Sequence, residues 1–231
     1  IRARVKSGCN PDVRSGFFIC SMATRLILIR HGSTDWNVKQ RYCGFVDISL
    51  NSKGKIQARR LRRRLENEAV HKVYSSDRKR AIQTAGIIFK GYDIERIPDL
   101  REMHFGIFEG LTYRQIMKRF PEIYKKWIKN PFKTAIPSGE SLGILKTRVV
   151  KAFKKIILLH RNQTVAVVCH GGTISAFINH IFQSRDFWKH IPQSASLTVL
   201  ELRNNKFKIN LLNDISHLSG IKIDAVKFKE N

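Results

Sequence analysis

Acidic residues are scarce: 18 Asp and Glu stand against 43 Lys and Arg in a chain of 231 residues, for a formal net charge of +25. Such an imbalance draws anions, and by itself it does not choose among phosphorylated metabolites, nucleic acid and acidic membrane surfaces. Cysteine is also sparse. Cys9, Cys20, Cys43 and Cys169 are scattered, without the close pairs of a structural zinc site or a small disulfide scaffold, so a reducing cytoplasm is the expected setting. No apolar run approaches the ~20 residues of a membrane span, and "SGFFIC" is too short for a signal-peptide core. No sequence period repeats and no linker divides the chain. His71, His160, His180, His190 and His217 lack metal-ligand spacing and read as surface or packing residues. Neither a metal site nor a cofactor is expected.

What remains is enough apolar sequence, 42% of residues, for one α/β domain. The run "LILIR" is a buried strand. "LNSKGKIQARRLRRRLENEA" places Ile56, Leu61 and Leu65 at near-helical spacing, with Ser52 as a candidate cap. "HKVYSS" reads as a strand, "RAIQTAGIIF" as a helix closed by Gly91, and "IERIPDL" as a further extended piece. This alternation predicts a mostly parallel sheet between two helical layers. From Thr112 to Lys129 the chain is helical on both sides of Pro121, an excursion over one sheet edge that would make a natural lid. A capping start at Ser138 or Ser141 opens a long amphipathic helix, which feeds the strand "TVAVVCH" and the helix "GGTISAFINHIF". Asn204 and Asn205 mark a hairpin. Residues 1–21 read as a tail or extension before Met22, residues 22–217 as the domain, and 218–231 as a basic C-terminal tail.

Two apolar strands each end in His-Gly: "LILIRHGST", with Arg30 and His31, and "VAVVCHGGT", with His170, Gly171 and Gly172. Ligands of open α/β sheets bind outside the carboxyl ends of the strands. The helix that opens at Gly171 offers unpaired N–H groups to an anion there. A single histidine at a strand end is more often structural; two, with an arginine and a helix start, describe a phosphate site in which one imidazole attacks phosphorus.

The segments "LILIRHGSTDWN", "SSDRKRAIQTA", "LREMHFGIFEG" and "VVCHGGT", in that order, resemble the histidine phosphatase superfamily, the phosphoglycerate mutase-like enzymes. The likeness runs from about Arg25 to Asp214, takes in "YCGFVDISL" and "SGES", and looks most like the α-ribazole and broad-specificity phosphatase branch. It implies a three-layer α/β/α fold and a metal-independent phosphomonoesterase that works through a phosphohistidine. His31 would be the nucleophile, and Arg30, Arg80 and His170 would clamp the phosphoryl oxygens. Asn37, Gly44 and Gly171 would contribute to substrate binding, and Glu102 would protonate the leaving oxygen and then activate water. Glu109 is the nearest rival for that role and Asp35 a weaker one. Two positions depart from the family pattern: Ser33 stands where Glu is frequent, and Arg78 where Leu is frequent.

The substrate expected from the resemblance is a small phosphorylated metabolite, α-ribazole 5′-phosphate first, with sugar phosphates and phosphoserine as alternatives. Phosphoglycerate mutase is the runner-up. It is disfavoured because the segment after the acid motif is compact and lacks an adjacent arginine pair, although Arg114, Arg119 and Lys129 could substitute. A different class of function, nucleic-acid binding over a vestigial phosphatase site, is suggested by the charge and the Arg59–Arg64 cluster. The basic residues follow no nucleic-acid-binding motif, so no specific nucleic-acid partner is expected.

Overall fold

The computed structural model describes residues 23–184 and 186–221; the expectations for residues 1–21, and for the C-terminal tail beyond residue 221, lie outside the described residues. Six strands, β1 (Thr24–Arg30), β2 (Lys72–Ser75), β3 (Ile94–Arg96), β4 (Thr164–Cys169), β5 (Leu197–Arg203) and β6 (Lys206–Asp214), form one sheet in the order β3-β2-β4-β1-β5-β6. The first four run parallel, and β5 and β6 join antiparallel at one side. Among the described residues seven α-helices flank the sheet: α1 (Asp35–Val38), α2 (Ser52–Arg64), α3 (Lys79–Ile88), α4 (Tyr113–Arg119), α5 (Pro121–Lys129), α6 (Leu142–Leu159) and α7 (Gly171–Ile181).

The central strands read as unbroken apolar runs because both sheet faces are covered. Successive side chains of β1 alternate between two cores. Leu26 and Leu28 pack with Phe153, Phe177, Phe108 and Trp127, whereas Ile27 and Ile29 pack with Ala58, Leu61, Ala81 and Ala85 of α2 and α3. Strand β4 divides in the same way, Val165 and Val167 to the first core, Ala166 and Val168 to the second. Because β1 and β4 are parallel neighbours with Arg30 opposite Cys169, His31 and His170 leave the sheet side by side.

Several boundaries differ from the sequence expectation. Asn51, not Ser52, caps α2, its Oδ1 accepting from Gly54 N at 2.8 Å. Ile56 is 43% exposed, the buried face being set by Gln57, Ala58 and Leu61. The helix ends at Arg64, before "LENEA". Of the two serines proposed to start the long helix, Ser141 is the cap, and Ser138 lies before it at φ +55°. Pro121 does divide the excursion, standing at the first position of α5. That excursion is core rather than a lid: Trp127 is fully enclosed, and Tyr124 and Phe120 stack around Phe108 with ring centroids 6.0–6.3 Å apart. The hairpin turns at Asn204 (φ +50°) and Asn205 (φ +59°), the left-handed pair that matches strand twist. Packing extends just past His217, with Leu218 buried and Ser219 O accepting from Arg60.

Candidate active site

At the carboxyl end of β1, the ring of His31 is 4% exposed and its Nδ1 lies 2.8 Å from its neighbour's carbonyl, Gly32 O. A carbonyl can only accept, so Nδ1 carries the proton and Nε2 is left with its lone pair. Burial, followed by the charges of Arg80 and Arg30, holds this imidazole well below its ordinary value, so it is neutral at pH 7. The backbone around it is fixed: Gly32 N donates to Thr84 Oγ1 at 3.0 Å and Ser33 N to Gln57 Oε1 at 2.8 Å. Ser33 is itself fully buried.

At the end of β4, His170 is fully buried with its ring centroid 5.1 Å from that of His31. Its Nε2 is 2.8 Å from Ser76 Oγ, while its Nδ1 is buried without a hydrogen-bond partner. Burial and the neighbouring Arg80 push its basicity well down as well. A buried ring nitrogen without a partner is costly in a folded protein unless a ligand completes it.

Arg80, the second residue of α3, is the largest departure from ordinary packing. Its guanidinium is 0% exposed. It donates to Val46 O at 2.9 Å and Gly44 O at 2.7 Å, and its Nε has no partner. Among the described residues no carboxylate pairs with it. Burying an unpaired cation costs on the order of several kcal/mol, a cost that an anion bound in the crevice would offset. Arg30, 8% exposed, donates to Pro192 O at 2.5 Å, and its guanidinium lies against the start of α7, 3.4 Å from where a Cβ on Gly171 would stand.

Glu102 reaches the same place from a segment without regular structure. Its Oε2 accepts from Gly172 N at 2.8 Å, and its Oε1 accepts from Met103 N at 2.8 Å. A Cβ on Gly172 would stand 2.3 Å from Oε1, so the close approach requires glycine. A small void of about 10 Å³ beside Glu102 and Gly172 is walled by Met103, Phe105, Leu142, Phe187 and Ile191.

Five of the residues expected from the sequence thus converge: His31, His170, Arg30, Arg80 and Glu102, with Gly171 and Gly172 beneath them. The others do different work. Both polar backbone groups of Gly44 have protein partners, N–H to Glu109 Oε2 at 3.2 Å and C=O to Arg80, so this backbone supports Arg80 rather than offering a hydrogen bond to a ligand. Asn37 Oδ1 accepts from Thr34 N and Thr34 Oγ1 at 3.0 and 2.9 Å, closing the cap of α1. Asp35 is tied to Asn51 at 3.3 Å. Arg78 bonds to Phe45 O at 3.0 Å and to Asp77 at 3.3 Å. Cys43, whose thiol burial pushes up to about 11, is protonated at neutral pH. Among the described residues no cluster of three or more His, Cys, Asp or Glu could hold a metal ion. Sequence reasoning missed Ser76, which orients His170, and the pair Glu140 and Arg148, which brace the Glu102 segment. The "SGES" motif contains Glu140, but spacing alone does not reveal its partner.

Known proteins share this fold and much of this sequence. The chain is 36% identical over 206 residues to a metal-independent phosphoserine phosphatase of Arabidopsis thaliana, covering 87% of this chain and 86% of the relative. Among solved structures, Bacillus stearothermophilus YhfR superposes with a TM-score of 0.80 at 31% identity, over 85% of this chain and all of that one. A putative α-ribazole-5′-P phosphatase from Escherichia coli superposes at 0.78 and 26% identity, over 83% of this chain and 97% of its own. With the family model matching residues 26–215, and with a fold and a phosphatase-class enzymatic activity that its relatives share, the chain belongs to the histidine phosphatase superfamily, branch 1.

Proposed function

We propose that this enzyme hydrolyses small phosphate monoesters in two steps through His31, with Glu102 as the proton carrier. The observation that carries the reading is the fully buried Arg80 without a carboxylate partner, set beside a neutral histidine whose Nε2 lone pair is unengaged. A phosphate dianion entering the crevice takes Arg80 Nε and His170 Nδ1 as donors, together with Arg30. The positive charge of the two arginines and the N–H groups of all three oppose the charge on the transferring phosphoryl group. His31 Nε2 attacks phosphorus as the bond to the ester oxygen breaks, and Glu102 gives that oxygen a proton. Glu102, now a carboxylate, takes a proton from water; the water oxygen attacks phosphorus, the N–P bond breaks, and phosphate leaves with His31 neutral again.

Identity to the Arabidopsis relative makes O-phosphoserine the first substrate to test, and the structural likeness makes α-ribazole 5′-phosphate the second. Hydrolysis is favoured over mutase chemistry because the segment from Gly110 to Pro137 is taken up by α4 and α5, whose buried face is aromatic. Arg114, Arg119 and Lys129 there are exposed. The free thiols of Cys43 and Cys169 support a reducing, cytoplasmic setting. Among the described residues no helix is long and apolar enough to cross a membrane.

Turnover of these phosphomonoesters by the purified protein in excess EDTA tests the reading. Phosphate release that persists under chelation is expected. Activity lost to EDTA and restored by Mg²⁺ or Zn²⁺ would contradict it, and isomerisation of 3-phosphoglycerate primed with 2,3-bisphosphoglycerate that outpaces hydrolysis would hand the case to the mutase.

A further inference from the structure

Between Leu100 and Gly106 the chain forms neither helix nor strand, yet it carries the carboxyl that must meet a leaving oxygen to within a few tenths of an ångström. Several of its backbone groups hydrogen-bond to side chains instead. Arg148, on α6, donates through Nη1 to Asp99 O at 2.9 Å and Arg101 O at 2.7 Å, and through Nη2 to Glu102 O at 2.8 Å. Its remaining N–H groups go to one carboxylate, Nη2 to Glu140 Oε1 at 2.5 Å and Nε to Glu140 Oε2 at 3.2 Å. All five donors of the guanidinium are therefore engaged. Glu140 Oε1 also accepts from His104 N at 2.9 Å, and Glu140 N donates to His104 O at 3.0 Å. From the other side, Thr173 Oγ1 of α7 donates to Arg101 O at 2.9 Å. The guanidinium and the carboxylate are largely enclosed, with side chains 16% and 10% exposed.

From this geometry we infer that Glu140 and Arg148 are a positioning pair for proton transfer, setting where the Glu102 carboxyl stands relative to the phosphorylated histidine. The inference rests on the role proposed for Glu102 and adds residues that act through it. Arg148 grips the carbonyl of Glu102 itself, so a shift of this clasp moves the carboxyl directly, whereas the hydrogen bonds of His31, His170 and Arg80 go to other residues. Only a planar fork reaches three carbonyls and a carboxylate together; the three donors of an ammonium on a flexible stem do not reproduce it.

The discriminating readout is dependence on the leaving group, measured as single-turnover phosphorylation of His31 with an alkyl phosphate and with p-nitrophenyl phosphate, whose phenolate leaves unaided. Arg148→Lys is expected to slow the alkyl reaction by up to about 10²-fold and the p-nitrophenyl reaction by far less. Glu140→Gln, nearly isosteric, gives the same bias more weakly and serves if the lysine variant fails to fold. In the double variant with Glu102→Gln, the alkyl loss should match that of Glu102→Gln alone, since both changes act through one proton transfer. Equal slowing of both substrates in Arg148→Lys and Glu140→Gln, beside a clear bias in Glu102→Gln, would overturn the clasp alone. No bias in Glu102→Gln would overturn the role of Glu102 and the clasp with it.

Discussion

Glu102 and Glu109 both direct a carboxylate at backbone N–H groups, and the difference between them separates chemistry from scaffolding. Glu109 accepts from four amides: Gly44 at 3.2 Å, Phe45 at 2.7 Å, Val46 at 3.0 Å and Phe105 at 3.2 Å. Both its oxygens thus hold the loop whose carbonyls support Arg80. Glu102 accepts from two amides, one its immediate neighbour and the other the start of α7 beside His170. From the sequence either could be the acid. In the folded chain, Glu109 is committed to the 44–46 loop and Glu102 to the start of α7, next to His170.

The largest effect that would break this comparison is on proton transfer. Glu102→Gln should slow His31 phosphorylation by an alkyl phosphate by roughly 10²–10⁴-fold, with a smaller penalty for p-nitrophenyl phosphate. Glu109→Gln should show no such bias, and rapid-quench kinetics on the two substrates checks both.

A pair of glycines sharpens the contrast. The atoms nearest a Cβ at Gly172 would be those of the Glu102 carboxylate, the far end of a side chain, whereas one at Gly44 would stand 2.0 Å from Met103 O and 2.4 Å from Glu109 Oε1. Gly172→Ala should therefore retain thermal stability and lose alkyl-phosphate turnover by up to the factor seen for Glu102→Gln, while Gly44→Ala should lower the melting temperature. Truncation of Glu109 to alanine should destabilise the fold by about 1–3 kcal/mol, the cost of amides left without their acceptor, and reduce turnover of both substrates alike. Urea unfolding with parallel assays distinguishes these outcomes.

The smallest effect is in the pH dependence of stability. His31 and His170 are less basic folded than unfolded. As pH falls below about 6.5, the unfolded chain binds protons that the folded chain does not, so folding stability should decline there and be restored as pH rises. His170→Asn should flatten that slope in urea titrations compared at pH 7 and pH 5.

Much of this was legible in the sequence because it is local. The two His-Gly steps follow continuous apolar runs, so their placement at adjacent strand ends needs only parallel pairing of β1 with β4. The Asn204–Asn205 turn and the break at Pro121 are likewise written into residue chemistry. What was not legible depends on long-range partners. That Gly44 supports Arg80, that Glu109 organises the 44–46 loop, and that Arg148 braces Glu102 each require contacts across 36 or more positions of the chain. Ile56 lies off the buried face, which Gln57 and Ala58 share with Leu61, although its near-helical spacing with Leu61 and Leu65 predicts a single apolar face. Helical spacing does not reveal that Trp127 packs against Phe108, with ring centroids 6.2 Å apart, and this contact places the 112–129 excursion in the core.

The central claim is that His31 takes the phosphoryl group without help from a metal. It is tested most directly by labelling the enzyme with ³²P-phosphoserine or another labelled substrate in excess EDTA, quenching in alkali and mapping the labelled peptide in wild type, His31→Ala and Glu102→Gln. The account predicts a base-stable, acid-labile label on the peptide containing His31 in wild type and in Glu102→Gln, and none in His31→Ala. Label that persists in His31→Ala, or turnover by wild type that depends on added metal, would contradict it.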